Sequence, residues 1–147
     1  MLLITPYESV GLIRLGMSLD DLVRVAGTPS KITRNRRAEF DYQYGGYNVR
    51  ISPTECKVVE VGVSAETSVE LGGVNIFNDP NALARLVEMD GHPYEFLGYL
   101  ILLSLGVAIT GFHDGDVAQR AITMFEKGRW DHLRSQFKTW SAQAKKV

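Results

Sequence analysis

The sequence predicts an α+β protein, in which helices pack on one face of an antiparallel β-sheet. Three observations support this class. Short runs of alternating apolar, β-branched and aromatic residues are separated by turns that contain glycine. Two stretches with apolar residues at helical spacing interrupt those runs. A hydrophobic content of 45% with 22% charged residues is typical of a globular protein. We expect a single domain over 1–147 with one core.

The first predicted unit starts with an extended segment at 10–16 and continues into a short helix. Ser18 is a favourable N-cap, and Gly27 with Pro29 ends the helix. The apolar residues between them have the i, i+3, i+4, i+7 spacing of one helical face: Leu19, Leu22, Val23 and Ala26. A helix this short and amphipathic must pack against a sheet.

Residues 39–52 predict a β-hairpin that turns on Gly45 and Gly46, with positive φ at both glycines. This turn sets a register in which one face is apolar and the other is polar, as a half-buried antiparallel pair requires. The apolar pairs are Phe40–Ile51, Tyr42–Val49 and Tyr44–Tyr47, and the polar pairs are Gln43–Asn48 and Asp41–Arg50. A third strand at 57–63 completes a meander.

The second half repeats this order. Asn78 or Asp79 caps a helix with Pro80 in its first turn, and Gly91 with Pro93 ends it. Strand-like runs follow at 99–104, 107–112 and 117–125. We therefore predict two helix-plus-meander repeats, over about 10–66 and 72–128. A C-terminal helix over 131–145 is predicted from an apolar stripe of Leu133, Phe137, Trp140 and Ala144.

The charges are distributed unevenly along the chain. Residues 127–147 contain six Lys/Arg and one Asp, whereas residues 54–95 contain eight Asp/Glu and two basic residues. An acidic middle favours a basic protein partner over nucleic acid.

The sequence also suggests a compartment. The first residues lack the basic and apolar regions of a signal peptide. The longest apolar run, 97–107, is too short to cross a bilayer. A single cysteine, Cys56, excludes an internal disulfide. We expect a cytoplasmic protein with no membrane partner.

The densest group of chemically able side chains is His113, Asp114 and Asp116. These residues are potential metal ligands, or a general base with an orienting carboxylate. However, Asp-Gly between two apolar runs is also a hairpin turn. No His-x-x-x-His or Cys-x-x-Cys spacing supports a metal site. The sequence thus predicts no catalytic residue, metal or cofactor, with a small metal-dependent enzyme using this cluster as the alternative.

The chain also resembles known bacterial families. Gly11–Pro29, followed by the aromatic hairpin, resembles the opening of small proteins with a β-lactamase-inhibitor-protein-like fold, whose helix-plus-sheet repeats occur singly or in tandem. Gly73–Phe77, Leu105–Asp116 and Phe125–Trp130 are similar to segments of immunity proteins encoded beside secreted antibacterial toxins, notably those of type VI secretion systems.

The resemblance implies a non-enzymatic inhibitor that binds a cognate toxin acting in the cytoplasm, with a nuclease as the expected class. A scaffold or assembly module of the same fold is a further alternative. From the two predicted loop regions and the acidic band we predict seven partner-binding residues: Glu66, Glu70, Asp90, Glu95, His113, Asp114 and Asp116.

Overall fold

Two β-sheets and two α-helices share one core in the computed structural model, which describes residues 1–141. The helices are α1, Leu19–Ala26, and α2, Ala82–Asp90; Val117–Gln119 and Asp131–Gln136 form short 3-10 helices. The α+β class is therefore confirmed.

The strands are numbered in chain order. They are β1 Leu2–Thr5, β2 Ser9–Val10, β3 Ile13–Arg14, β4 Lys31–Arg34, β5 Phe40–Gln43, β6 Tyr47–Ile51, β7 Val58–Ser64, β8 Val69–Leu71, β9 Val74–Asn75, β10 Tyr94–Phe96, β11 Tyr99–Leu102, β12 Val107–Thr110, β13 Ala121–Phe125 and β14 Lys138–Thr139.

Nine strands form the larger sheet, which is antiparallel throughout. Its order is β14-β10-β11-β12-β13-β7-β6-β5-β4. Strands β4 to β7 follow α1, and β10 to β13 follow α2. The two groups meet where β7 pairs with β13. That these two groups are copies of one repeated unit, over 10–66 and 72–128, stays a prediction.

A smaller sheet of order β3-β2-β1-β8-β9 was not predicted. Its pairs are antiparallel except for β1 with β8, which is parallel. The expected extended segment at 10–16 contributes only one residue of β2 and the two-residue strand β3 to it. The core lies between this sheet, the two helices and one face of the larger sheet, and it includes Val10, Leu22, Val61, Leu86 and Met124.

The predicted hairpin is confirmed between β5 and β6, with Phe40 opposite Ile51 and Tyr42 opposite Val49. One detail of its turn is wrong. Gly45 has a φ of +90°, but Gly46 does not have a positive φ. Gly46 is instead constrained by packing, because a Cβ there would lie 1.9 Å from Oγ1 of Thr67.

Helix α1 begins and ends as the sequence predicts. The Ser18 hydroxyl accepts a hydrogen bond from the Asp21 amide at 3.1 Å, and Gly27 follows the last turn with a φ of +80°. The predicted start of α2 is wrong: its N-cap is Asn81 rather than Asn78 or Asp79, no side chain caps it, and Pro80 precedes the helix. The carboxylate of Asp79 accepts from the Asn81 amide at 2.8 Å, so it organises the turn before the helix. Gly91 ends α2 in the left-handed conformation.

The predicted C-terminal helix is wrong over the described part of 131–145. A 3-10 helix ends at Gln136, and β14 then pairs with β10. No side chain caps the start of the 3-10 helix. Because β14 pairs with β10, the Phe137 ring packs against the rings of Tyr94 and Phe96. The Trp140 amide donates to the carbonyl of Pro93 at 3.0 Å. Positions 142–145 lie outside the described residues.

Candidate functional site

One end of the larger sheet is built from four connections that lie side by side, and we call it the loop end. The connections are 44–46, 65–68, 97–98 and 111–120. Ser64, the last residue of β7, lies opposite Ala121, the first residue of β13, and Thr110 at the end of β12 pairs with Ala121 as well. Loops 65–68 and 111–120 therefore leave the sheet next to each other.

Loop 111–120 is not the tight Asp-Gly hairpin turn that the sequence predicts. It is a ten-residue connection between β12 and β13 that is closed by its own contacts. The Thr110 hydroxyl donates to the carbonyl of Gln119 at 2.7 Å, and the Arg120 guanidinium lies 4.7 Å from the centroid of the Phe112 ring. A Cβ on Gly111 would lie 2.5 Å from the Asp116 carbonyl oxygen. The loop thus has a fixed, closely packed base.

Asp114 and Asp116 lie at the exposed tip of this loop. The Asp114 carboxylate accepts a hydrogen bond from the Asp116 amide at 3.1 Å, so the Asp-Gly pair shapes the tip. Glu66 is exposed on the adjacent loop. None of these three carboxylates forms an ion pair within residues 1–141. The loop end therefore presents three carboxylates to solvent.

His113 is turned inward. Only 1% of its side chain is exposed, its Nε2 lies 3.0 Å from a carboxylate oxygen of Glu95, and its ring packs edge-on against Trp140. The structure thus brings together two predicted residues from different strands and loops. His113 Nδ1 and Trp140 Nε1 are buried and have no hydrogen-bond partner in the part of the chain described. This imidazole anchors the loop on β10 and does not face solvent as a base would.

The other two predicted residues lie elsewhere. Glu70 is half-buried in β8 of the smaller sheet, opposite Asn75. Asp90 is buried at the opposite end of the larger sheet, where its carboxylate accepts from the amides of His92 at 3.0 Å and Ser104 at 2.9 Å. Those bonds hold the end of α2 against the turn that follows β11.

Exposed apolar side chains at the loop end were missed by the sequence analysis. Leu97 is 81% exposed in the turn between β10 and β11, and Val117 is 64% exposed in loop 111–120. The sequence signal for Leu97 is the glycine that follows it, which is typical of a turn. In the structure Leu97 has a positive φ of 49°. Large apolar groups beside exposed carboxylates are typical of binding surfaces.

A buried ion cluster on the opposite face of the larger sheet from the main core is the second notable group. Arg129 bonds both oxygens of Glu39, at 2.8 and 2.9 Å, and one oxygen of Glu60 at 3.0 Å. Arg50 bonds the other oxygen of Glu60 at 2.7 Å and also Asp41 at 2.8 Å. The sequence predicts only the Asp41–Arg50 pair, since Arg129 is 69 positions from Glu60 and 90 from Glu39.

The cluster changes the ionisation of its members. Burial by itself raises the pKa of Glu39, but hydrogen bonds from Arg129 and Asn35 outweigh it and lower the pKa to about 2. Burial would lower the pKa of Arg129, and the two carboxylates raise it instead. A cavity of about 290 Å³ opens beside the cluster. Because every carboxylate oxygen of Glu39 and Glu60 already accepts from a guanidinium, the cluster acts as a clamp on the segment that follows β13.

Within 1–141 no group of three or more His, Cys, Asp and Glu side chains is arranged to hold a metal ion. No helix in that range has the length and apolar character needed to cross a membrane.

Comparison of the chain with protein-family models gives no match, and neither curated proteins nor solved structures match it significantly.

Proposed function

We propose that the chain is a non-enzymatic immunity protein that binds a cognate antibacterial toxin in the cytoplasm and neutralises it by covering its active or substrate site. The observation that carries this proposal is the loop end, where Asp114, Asp116 and Glu66, which form no ion pair with any described residue, lie beside the exposed side chains of Leu97 and Val117. Protein interfaces combine such apolar anchors with a polar rim.

The charge of the loop end favours a nuclease as the toxin. A nuclease binds a polyanion, so its substrate site is lined by Lys and Arg. Three exposed carboxylates present the opposite charge, which steers encounter and sets orientation. The loop end thus presents negative charge to the nuclease, as its nucleic-acid substrate does.

The closed base of loop 111–120 supports the same proposal. Binding costs conformational entropy when a loop has to become ordered in the complex. Here Gly111 packs against the loop backbone, and His113 is held by Glu95 and Trp140 in the free protein. The carboxylates at the tip are therefore already positioned for a partner.

The buried position of His113 argues against the metal-dependent enzyme. Its Nε2 faces Glu95, and its side chain is shielded from solvent. A general base or a metal ligand needs contact with substrate or ion, and only 1% of this side chain is exposed. The scaffold alternative is supported by no separate feature of the described residues.

The test is co-expression with the product of the adjacent open reading frame. We expect rescue of growth from that protein's toxicity and co-purification of a complex. The substitutions Asp114→Asn and Asp116→Asn together should weaken binding about tenfold at low salt, with a smaller loss at high salt. The control, Glu55→Gln with Glu88→Gln, removes the same charge from exposed positions away from the loop end and should change binding less than about twofold. Absence of both rescue and complex formation would overturn the proposal.

A further inference from the structure

A small apolar pocket opens near connections 44–46 and 65–68. It has a volume of about 150 Å³ and lies between α1, the smaller sheet and the start of β6. Every lining residue is apolar or aromatic: Leu2, Val10, Leu12, Ile13, Val25, Ala26 and Tyr47. Val10 and Ile13 belong to the main core, so the pocket is a place where that core reaches the surface.

Apolar side chains at the rim of the pocket are largely exposed to solvent. Leu12, at the turn between β2 and β3, is 76% exposed, and Val25 in the last turn of α1 is 43% exposed. Each apolar Å² left in water forgoes about 25 cal/mol of stabilisation. Both side chains therefore gain from burial against a partner.

Two hydrogen bonds and one shared residue place the pocket next to connections 44–46 and 65–68. The Tyr44 hydroxyl, in connection 44–46, donates to the Gly27 carbonyl after α1 at 3.1 Å. The Leu2 amide donates to the Ser68 carbonyl at 2.9 Å, which joins loop 65–68 to β1. Tyr47 both lines the pocket and begins β6. Glu66 belongs to connection 65–68, which the Leu2–Ser68 bond joins to β1.

We propose that this pocket takes one aromatic or branched aliphatic side chain of the toxin, presented on a basic surface. The inference rests on the proposed function and names the anchor point of the complex. An apolar cavity of about 150 Å³ admits a benzene-sized group. The carboxylates of Glu66, Asp114 and Asp116 lie at the same end of the larger sheet and have no ion-pair partner in the described part of the chain, so they select a partner with basic residues around that anchor.

The first experiment uses the free protein and benzene as the probe. With methyl-labelled leucine and valine, benzene should shift the NMR signals of Leu12, Val25 and Val10 in a saturable way. The signals of Leu97 and Val117, which are exposed but do not line the pocket, serve as the reference. Replacing Ala26 with leucine fills the pocket and should remove the shifts. Shifts no larger at the pocket than at the reference methyls would overturn the proposal.

The second experiment uses the complex with the adjacent-gene product. Val25→Ser and Val23→Ser form a matched pair, since both positions are on α1 with exposures of 43% and 39%, but only Val25 lines the pocket. We expect about tenfold weaker binding for Val25→Ser and less than about a twofold change for Val23→Ser. Urea unfolding of both variants checks that neither loses its fold.

The outcomes separate the two proposals. Binding that is weakened by Asp114→Asn with Asp116→Asn, but unchanged in Val25→Ser and Ala26→Leu, overturns the pocket and leaves the proposed function standing. Absence of any complex overturns the proposed function, and the anchor role of the pocket falls with it.

Discussion

Replacing Arg129 with methionine tests whether the ion cluster holds the segment after β13 on the sheet. Arg129 and Glu39 each have side chains only 9% exposed. The Arg129 guanidinium donates two hydrogen bonds to Glu39 and one to Glu60, of 2.8 to 3.0 Å. Methionine preserves much of the apolar stem but removes the guanidinium. Glu39 then keeps its burial and the 2.9 Å bond from Asn35, but it loses its ionic partner.

The expected cost follows from two estimates that agree. Removing one partner of a buried ion pair costs about 3–5 kcal/mol. Independently, the pKa of Glu39 is lowered from 4.5 to about 2, and at about 1.4 kcal/mol for each pKa unit this corresponds to about 3 kcal/mol. We therefore expect Arg129→Met to reduce the free energy of unfolding at pH 7 by about 3 kcal/mol.

The loss should depend on pH in a defined direction. The folded-state pKa of Glu39 lies below its unfolded value, so its contribution to stability is present above about pH 4.5 and disappears as the pH falls toward 2. At pH 3 the native protein has already lost about 2 kcal/mol of the stability that ionised Glu39 contributes at pH 7. The difference in stability between native protein and variant should therefore shrink by about that amount between pH 7 and pH 3.

Urea unfolding at both pH values, followed by tryptophan fluorescence, measures these differences. Arg24→Met is the control, because the Arg24–Asp21 pair is exposed, and its removal should cost less than about 0.5 kcal/mol. Adding Glu39→Gln to Arg129→Met should recover part of the loss, since it removes the buried charge. A cost below about 1 kcal/mol at pH 7, or one that is equal at pH 3, would refute the clamp.

The other predictions concern stability and use the same urea assay. Gly111→Ala should cost at least about 3 kcal/mol, because the φ of Gly111 is +80° and a Cβ would meet loop backbone at 2.5 Å. The control is Gly115→Ala, which should cost about 1 kcal/mol because Gly115 has a similar φ of +75° but open space around it. Equal costs for the two variants would contradict the packed loop base. Leu22→Ala should cost about 3 kcal/mol because Leu22 is fully buried. Ile32→Ala, half-exposed on edge strand β4, should change stability by less than about 0.5 kcal/mol, and a larger loss would show unrecognised packing at that edge.

The elements that the sequence predicts well are determined by neighbouring residues. The β5–β6 hairpin follows from one turn and the alternation on either side of it, so Phe40 and Ile51 are correctly paired from local information. The start of α1 likewise depends on Ser18 and the residues within one turn of it. Local preferences and tertiary structure agree at these places.

The elements that were missed depend on distant residues or on very short strands. Strands β2, β3 and β9 have two residues each, too few to show a period. Phe137 and Trp140 have helical spacing, but pairing of β14 with β10 determines their conformation. At the candidate site, the exposed carboxylates were recognised from composition, whereas the contact of His113 with Glu95 required the strand order.

The pairing of β7 with β13 has a consequence for the order in which the chain folds. Val63 pairs with Ile122 and Val61 with Met124, about sixty positions apart in the chain. During synthesis β7 is complete long before β13 emerges, so the nascent sheet has one unpaired, apolar edge. Contacts of this range carry a large loop-closure entropy, which slows folding. The closing of the sheet by residues 121–125 is therefore expected to be the late step, and until then the first half is exposed to aggregation along β7.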